Sequence, residues 1–185
     1  MEQALRKKPG IILETLRTVL ITVAIVLPIR FFVAQPFIVS GASMDPTLSN
    51  GEYLVIDEIT YRLKSPQRQD VIVFKYPYDT SKYYIKRIVG LPGETIEIAG
   101  SQIFITDKSG NRFELDEPYL TSNTQNGYIK SAKLEGDEYF VMGDNRGASS
   151  DSRIWGPLRS KFITGRAILR LLPIQKLDFM PGKDL

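Results

Sequence analysis

The hydrophobic positions divide this chain into two unlike parts. Residues 18–29 carry no charged side chain, and the apolar stretch that contains them extends from Ile11 to Val33. That length matches the roughly 20 residues that cross a bilayer as a helix. Beyond residue 40, short runs of β-branched and aromatic residues are separated by turn formers, which is typical of strands. The pattern predicts one long helix followed by a β-rich domain.

The apolar stretch admits three interpretations. A cleavable signal peptide fits the basic start, but no convincing small-residue cleavage site follows the apolar centre. A buried core helix is a second interpretation, although the apolar residues show no clean stripe. We favour a single-pass anchor, because Glu14, Arg17 and Arg30 lie near its ends, where charged side chains reach the interface.

The basic amino terminus favours a cytoplasmic location for that end of the chain. We therefore expect residues 1–10 to form a cytoplasmic tail and residues 11–34 to form a transmembrane anchor in the plasma membrane. Residues 35–185 should then form a β-rich domain on the outer face.

The β-rich part is predicted from seven runs. They cover residues 53–56, 70–74, 83–89, 95–98, 102–105, 138–142 and 163–172. Residues 95–98 and 102–105 alternate with period two across a short turn, which predicts a hairpin. Residues 107–135 are polar and irregular, and we expect an inserted or mobile excursion there. The fold class is mainly β.

Composition restricts the chemistry that this chain can perform. Its 185 residues include no histidine and no cysteine. A Ser-His-Asp triad, a Cys-His pair and metal sites built on histidine or cysteine are therefore excluded. The net charge of +3 is spread among 21 acidic residues, which argues against a nucleic-acid partner.

Ser43 and Lys86 are the candidates for a nucleophile and its base. Ser43 lies in a turn between Gly41 and Pro46, directly after the apolar stretch. Lys86 lies within a β-branched and aromatic run, where burial could lower its pKa by the roughly three units that a neutral amine requires. Arg87 cannot serve, since its guanidinium stays charged. The alternatives are an ordinary turn serine and a lysine that protects an edge strand.

A third stretch, residues 143–153, reads G-D-N-R-G-A-S-S-D-S-R. Its turn formers, carboxylates and arginines indicate a loop held by side-chain hydrogen bonds and ion pairs. A calcium loop would need alternating ligands and a distal glutamate, and that spacing is not present.

Four blocks in order resemble the type I signal peptidases, the membrane-anchored Ser-Lys proteases that remove signal peptides. They are residues 41–48, 68–74, 84–94 and 143–153, and together with the apolar stretch they cover nearly the whole chain. The resemblance implies a β-rich catalytic domain with a smaller inserted β region, consistent with the excursion at residues 107–135.

The same resemblance implies roles for individual residues. Ser43 matches the nucleophile, Lys86 the general base, and Ser149 the serine that orients the lysine. Asp151 and Arg153 match a structural ion pair, and Asp144 a supporting carboxylate. Two positions depart from the family pattern. Gly41 stands where some members carry an oxyanion-binding hydroxyl, and Gly147 with Ala148 replaces a more polar pair.

The implied function is endoproteolytic removal of signal peptides from exported preproteins, cutting after small residues. Phe37, Val39 and Ile85 are the expected walls of the substrate pockets. Membrane lipid is the second expected partner, and no metal or organic cofactor is implied. Two alternatives remain: a non-catalytic membrane-anchored β domain, and a relative of the self-cleaving Ser-Lys repressors.

Overall fold

The computed structural model describes residues 10–28, 34–120 and 127–182, and in them two antiparallel sheets follow a short amino-terminal helix. The helices are α1 (Ile11–Pro28), α2 (Thr60–Leu63) and α3 (Ser152–Trp155). The strands are β1 (Ala34–Ile38), β2 (Tyr53–Asp57), β3 (Val71–Tyr76), β4 (Asp79–Gly90), β5 (Thr95–Ala99), β6 (Gln102–Thr106), β7 (Arg112–Glu114), β8 (Tyr128–Lys133), β9 (Glu138–Met142), β10 (Leu158–Arg159), β11 (Ile163–Leu172) and β12 (Asp178–Phe179). Single 3₁₀ turns cover Arg146–Ala148, Ser160–Phe162 and Ile174–Lys176. The mainly β class is confirmed.

Helix α1 begins after Gly10, and its 18 residues expose many apolar side chains. Within the described ranges, no helix has both the length and the apolar character that a membrane crossing requires. Residues 1–9 of the predicted tail and residues 29–33 of the predicted anchor lie outside the described residues. The anchor therefore stays a prediction.

The large sheet has the strand order β1-β2-β11-β3-β4-β9-β10, with β12 paired to β11. All the predicted runs are confirmed as strands, with bounds that shift by a few residues at most. Strand β4 lies between β3 and β9, and Lys86 pairs with Ile72 of β3. Lys86 is therefore not an edge-strand lysine.

The second sheet has the order β7-β6-β5-β8. The predicted hairpin of β5 and β6 forms its centre, with Ile98 opposite Ile103. Strands β7 and β8 come from the predicted excursion, so this stretch continues the second sheet instead of leaving the domain as an irregular loop.

Three hydrophobic clusters hold these layers together. The first joins the isoleucines of β5 and β6 to Phe140 and Met142 of β9, and so fixes the second sheet to the first. The second packs Met44 and Leu48 against the large sheet, and the third covers that sheet around Phe74. Strands β4 and β9 both supply buried residues to the first and third clusters, and Ile85 of β4 packs against the second.

Candidate active site

Ser43 lies on a tight turn between β1 and β2. Gly41 adopts a φ of +94°, a conformation that a serine would enter only with strain. The Gly41 N–H donates to Asn50 Oδ1 at 2.9 Å. After Ser43, the fully buried side chains of Met44 and Leu48 anchor the turn in the core. The turn is thus fixed on both sides of Ser43, and the positive φ at residue 41 favours glycine there.

Lys86 approaches Ser43 from strand β4. Its Nζ lies 2.7 Å from Ser43 Oγ and 2.8 Å from the carbonyl oxygen of Ile85. Only 4% of the residue is exposed. Burial lowers the pKa of Lys86 from its ordinary value of 10.5 to about 8, although Asp151 and Asp144 act in the opposite direction. A large fraction of this amine is therefore neutral near pH 8 and lies within reach of a hydroxyl proton.

The loop after β9 holds the Ser43 turn from the other side. Asn145 donates through its backbone N–H to the Ser43 carbonyl oxygen at 3.1 Å and through Nδ2 to the Ala42 carbonyl oxygen at 3.0 Å. A Cβ at Gly143 would lie 2.3 Å from both Ser43 O and Ser149 Oγ. No side chain larger than hydrogen fits that space.

Two ion pairs support this loop. Asp144 accepts from Arg87 Nε at 2.9 Å and from Arg87 Nη2 at 2.6 Å, and both side chains are completely buried. Asp151 accepts from Arg153 Nε at 2.8 Å and from the Gly143 N–H at 3.0 Å. Burial alone would raise the pKa of Asp151, but the hydrogen bonds and charge of Arg153 hold it below its usual range.

Thr47, Gln69 and Gly182 provide further contacts around Arg87 and Asp144. Thr47 Oγ1 donates to Asp144 Oδ2 at 2.6 Å, so the turn that carries Ser43 also bonds to this carboxylate. Arg87 Nη1 donates to the carbonyl oxygens of Gly182 at 2.6 Å and Gln69 at 3.1 Å. The guanidinium is therefore satisfied on several sides.

Ser149 is buried against Gly143, with 8% of the residue exposed. Lys86 Nζ donates to Ser43 Oγ and to the Ile85 carbonyl oxygen, whereas the Ser149 hydroxyl lies beside Asp151 and helps to hold the pKa of that carboxyl below its usual range. The role of Ser149 in orienting the lysine therefore stays a prediction.

A cleft of about 470 Å³ opens over Ser43 and Lys86. Phe37, Val39 and Ile85, the predicted pocket residues, all line it. Leu54, Val73 and Tyr83 line it as well, and sequence reasoning did not single them out. Among the described residues, no three carboxylates gather in a way that could hold a metal ion.

The Ser43 backbone N–H points to a further capability of the site. Among the described residues it has no hydrogen-bond partner, whereas the Gly41 N–H is already engaged by Asn50. An unengaged amide beside a reactive hydroxyl can donate to an oxyanion. Ser43 and Lys86 thus provide a hydroxyl, a partly neutral amine and a backbone donor without a partner among the described residues.

Comparisons with known proteins agree with this chemistry. The family model described as "Signal peptidase, peptidase S26" matches residues 12–172. The chain belongs to this family of signal peptidases. It is 34% identical to the probable signal peptidase I-1 of Synechocystis sp., over 93% of this chain and 91% of the relative. It is 39% identical to signal peptidase I P of Bacillus subtilis subsp. natto, over 80% of this chain and 81% of the relative.

A solved signal peptidase I from Enterococcus faecalis V583 is also similar, at 29% identity and a TM-score of 0.47. The match covers 56% of this chain and 97% of that chain. The predicted family and activity are confirmed by the family model and the curated relatives. As a member of this family of serine peptidases, the chain has signal peptidase I activity, which removes signal peptides from preproteins.

Sequence reasoning missed several residues of this peptidase site. Arg87 was considered only as an unsuitable base, and its ion pair with Asp144 spans 57 positions of sequence. Asn145 and Thr47 lie within the quoted motifs, but their contacts depend on tertiary packing. A polar residue inside a motif block is the only signal that could have identified them.

Proposed function

We propose that Ser43 and Lys86 form the catalytic dyad with which this signal peptidase cleaves preproteins. The single observation that carries the proposal is the 2.7 Å contact between Ser43 Oγ and the Nζ of Lys86, a residue that is only 4% exposed. The lowered pKa of Lys86, about 8, supplies the neutral form that a general base needs.

The reaction begins when neutral Lys86 accepts the proton of Ser43 Oγ. The oxygen attacks the scissile carbonyl carbon, and the Ser43 N–H donates to the developing oxyanion, a contribution of about 3 to 4 kcal/mol for a good donor. Protonated Lys86 then gives its proton to the departing amine of the mature protein, which leaves an acyl-enzyme. Lys86 next accepts a proton from water, whose oxygen attacks the acyl carbon. The bond from that carbon to Ser43 Oγ then breaks, Lys86 returns the proton to Ser43 Oγ, and the signal peptide leaves with a new carboxylate.

Residues around this dyad have supporting roles in the proposal. The Ile85 carbonyl oxygen and the Ser43 hydroxyl hold the Lys86 amine in place, and Asp144, Asp151 and Arg153 stabilise the loop beneath it. We assign Ser149 to the same support, because its buried hydroxyl lies directly against Gly143.

The walls of the cleft select the substrate. Phe37, Val39 and Ile85 leave an apolar space beside the dyad, and we propose that it accepts small side chains at the first and third positions before the cut. Phe37 packs edge-on against Tyr83, with ring centroids 5.3 Å apart. That contact gives one wall a fixed shape.

We also propose that the apolar stretch at residues 11–34 anchors the enzyme in the plasma membrane as a single span. The cytoplasmic tail would be residues 1–10, and the catalytic domain at residues 35–185 would work on the outer face in contact with membrane lipid. The apolar residues exposed along α1 support this arrangement. Extraction of membranes at alkaline pH tests it, because an anchored chain stays in the pellet and a peripheral one is released.

The dyad is tested by Ser43→Ala and Lys86→Ala in the full-length enzyme, assayed on a purified preprotein. Both variants should lose nearly all cleavage while keeping the circular dichroism spectrum of the parent. Lys75→Ala is the matched control, since Lys75 is an exposed lysine on the neighbouring strand β3. Near-normal cleavage by either dyad variant would overturn the assignment.

A further inference from the structure

Residues 115–120, here called the docking segment, leave the second sheet after β7 and cross to the loop that supports the dyad. Leu115 is held at the start by its N–H, which donates to the Ile103 carbonyl oxygen at 2.8 Å. Leu115 also belongs to the hydrophobic cluster that joins the two sheets. Gln69 Nε2 donates to the Asp116 carbonyl oxygen at 3.1 Å. The path of the segment is thus fixed before it reaches the loop.

Glu117 forms an ion pair with Arg146, which lies in that loop. Arg146 Nη1 donates to Glu117 Oε2 at 3.1 Å, and Arg146 Nη2 forms a second, shorter contact with Glu117 Oε1. The side chains of Arg146 and Glu117 are 1% and 7% exposed. The charge of Arg146 in the interior is therefore balanced by a carboxylate that comes from the second sheet.

Arg146 also forms hydrogen bonds with the backbone around the site. Its Nε donates to the Gly143 carbonyl oxygen at 3.0 Å, and its own carbonyl oxygen accepts from Arg153 Nη2 at 2.8 Å. Gly143 is the residue whose close approach to Ser43 and Ser149 excludes any side chain. A shift of Arg146 would therefore move the backbone that packs against the Ser43 turn.

Tyr119 provides a second connection. Its ring covers the Arg87 guanidinium at 3.8 Å, a cation–π distance, and its hydroxyl donates to Glu117 Oε1 at 2.7 Å. Burial and the neighbouring Glu117 carboxylate raise the pKa of Tyr119, so the hydroxyl keeps its proton. The docking segment thus contacts Arg146 in the loop and Arg87, the ion-pair partner of Asp144.

We propose that Glu117 and Tyr119 are positioning residues for the Ser43–Lys86 dyad, acting through Arg146 and Arg87 on the loop at residues 143–149. Neither residue touches substrate or the reacting atoms. Their effect is to hold the loop against the Ser43 turn and to keep water away from Lys86. This inference rests on the proposed dyad, and it gives the second sheet a function in catalysis.

The test uses Glu117→Gln in the full-length, detergent-solubilised enzyme. Glutamine keeps the shape of the side chain but removes the charge that balances Arg146. We expect kcat to fall about tenfold or more with KM within about twofold, because the loss concerns the alignment of reacting groups and not substrate binding. Amide hydrogen exchange at residues 143–149 should become faster.

The pH profile distinguishes positioning from plain stability. Lys86 is faced by Asp144, Asp151 and the ring of Tyr84, and its pKa is depressed by burial. A loosened loop admits water, so the midpoint of the acid limb of kcat should move to higher pH in Glu117→Gln. A loss of stability without loop displacement leaves that midpoint unchanged.

Tyr119→Phe tests the same positioning role if Glu117→Gln folds poorly, and Glu97→Gln is the control. Tyr119→Phe keeps the ring over Arg87 but removes the donor to Glu117, and it should give a smaller change of the same kind. Glu97→Gln is the matched control, because Glu97 forms an exposed pair with Arg112 on the same second sheet. That control should match the parent in kcat and in the pH midpoint.

The outcomes separate this inference from the dyad itself. If Ser43→Ala or Lys86→Ala retains cleavage, the dyad is wrong. If both are inactive but Glu117→Gln and Tyr119→Phe keep the parental kcat, pH midpoint and loop exchange, the dyad stands and the docking segment has no positioning role.

Discussion

Strand β4 carries two consecutive buried basic residues, Lys86 and Arg87, and their side chains lie in different environments on opposite faces of the strand. Arg87, on one face, is completely buried and meets Asp144 through two hydrogen bonds, with Tyr119 stacked over it. Lys86, on the other face, meets a hydroxyl and a carbonyl oxygen. Among the described residues no carboxylate lies within ion-pair distance of Lys86.

The difference shows how a single strand can hold both a structural charge and a reactive amine. A buried cation with a carboxylate keeps its charge, since breaking such a pair leaves an uncompensated charge in the interior. A buried amine without one loses proton affinity, and the pKa of Lys86 falls to about 8. Asp144 therefore keeps Arg87 as a paired structural charge, while burial without an ion-pair partner among the described residues makes Lys86 the titratable base.

The largest expected effect is the loss of kcat when Lys86 is replaced by arginine, so that both faces of β4 carry a guanidinium. In Lys86→Arg the guanidinium cannot release its proton at working pH, so it cannot accept the Ser43 proton. Loss of a member of a coupled catalytic set typically costs about 10⁴-fold or more in kcat. Preprotein cleavage measured at several pH values up to 10 should show this loss throughout. Recovery of activity at high pH would contradict it.

The next effect is a loss of stability when the ion pair between Arg87 and Asp144 is broken. Asp144→Asn leaves Arg87 buried beside a neutral amide, and we expect a loss of about 3 to 5 kcal/mol in the free energy of unfolding. Urea denaturation at pH 7 provides the measurement. Glu97→Gln, in the exposed Arg112 pair, should change the same quantity by less than about 1 kcal/mol. Equal losses in the two variants would show that burial does not distinguish these pairs.

The sequence predicts most strands of the sheets and the residue types available for a base. The strand runs were readable from β-branched and aromatic clusters, and the lack of histidine and cysteine left a carboxylate or a lysine as the base for Ser43. Strand β7 was missed because all three of its residues are exposed, so no buried and exposed alternation marks it. Strand β8 was missed with it in the polar stretch.

The contacts beneath the site could not be predicted for a different reason. Arg87 and Asp144 are 57 positions apart, and Glu117 and Arg146 are 29 apart. Each of these residues is charged and would normally be expected at the surface. Their burial follows from tertiary contacts, with Tyr119 over Arg87 and Glu117 against Arg146, which local patterns do not encode.

Titration of Lys86 should also make kcat/KM depend on pH. Because Lys86 has a pKa of about 8 in the folded enzyme, kcat/KM should rise tenfold per pH unit below that value and level off above it. Cleavage rates from pH 6 to 9 measure this limb. A pH-independent rate would mean that the amine which titrates is not the base.

The same titration has a consequence for stability, with a definite sign. The folded pKa of Lys86 lies below the ordinary value of 10.5, so the unfolded chain binds more protons between these values and stability rises with pH there. Lys86→Met lacks this penalty and should be the more stable protein at pH 7.5. The difference should shrink by about 2 kcal/mol between pH 7.5 and pH 10, as the parent loses its buried charge. A constant difference across this range would mean that Lys86 keeps its proton in the folded enzyme, as Arg87 does on the opposite face.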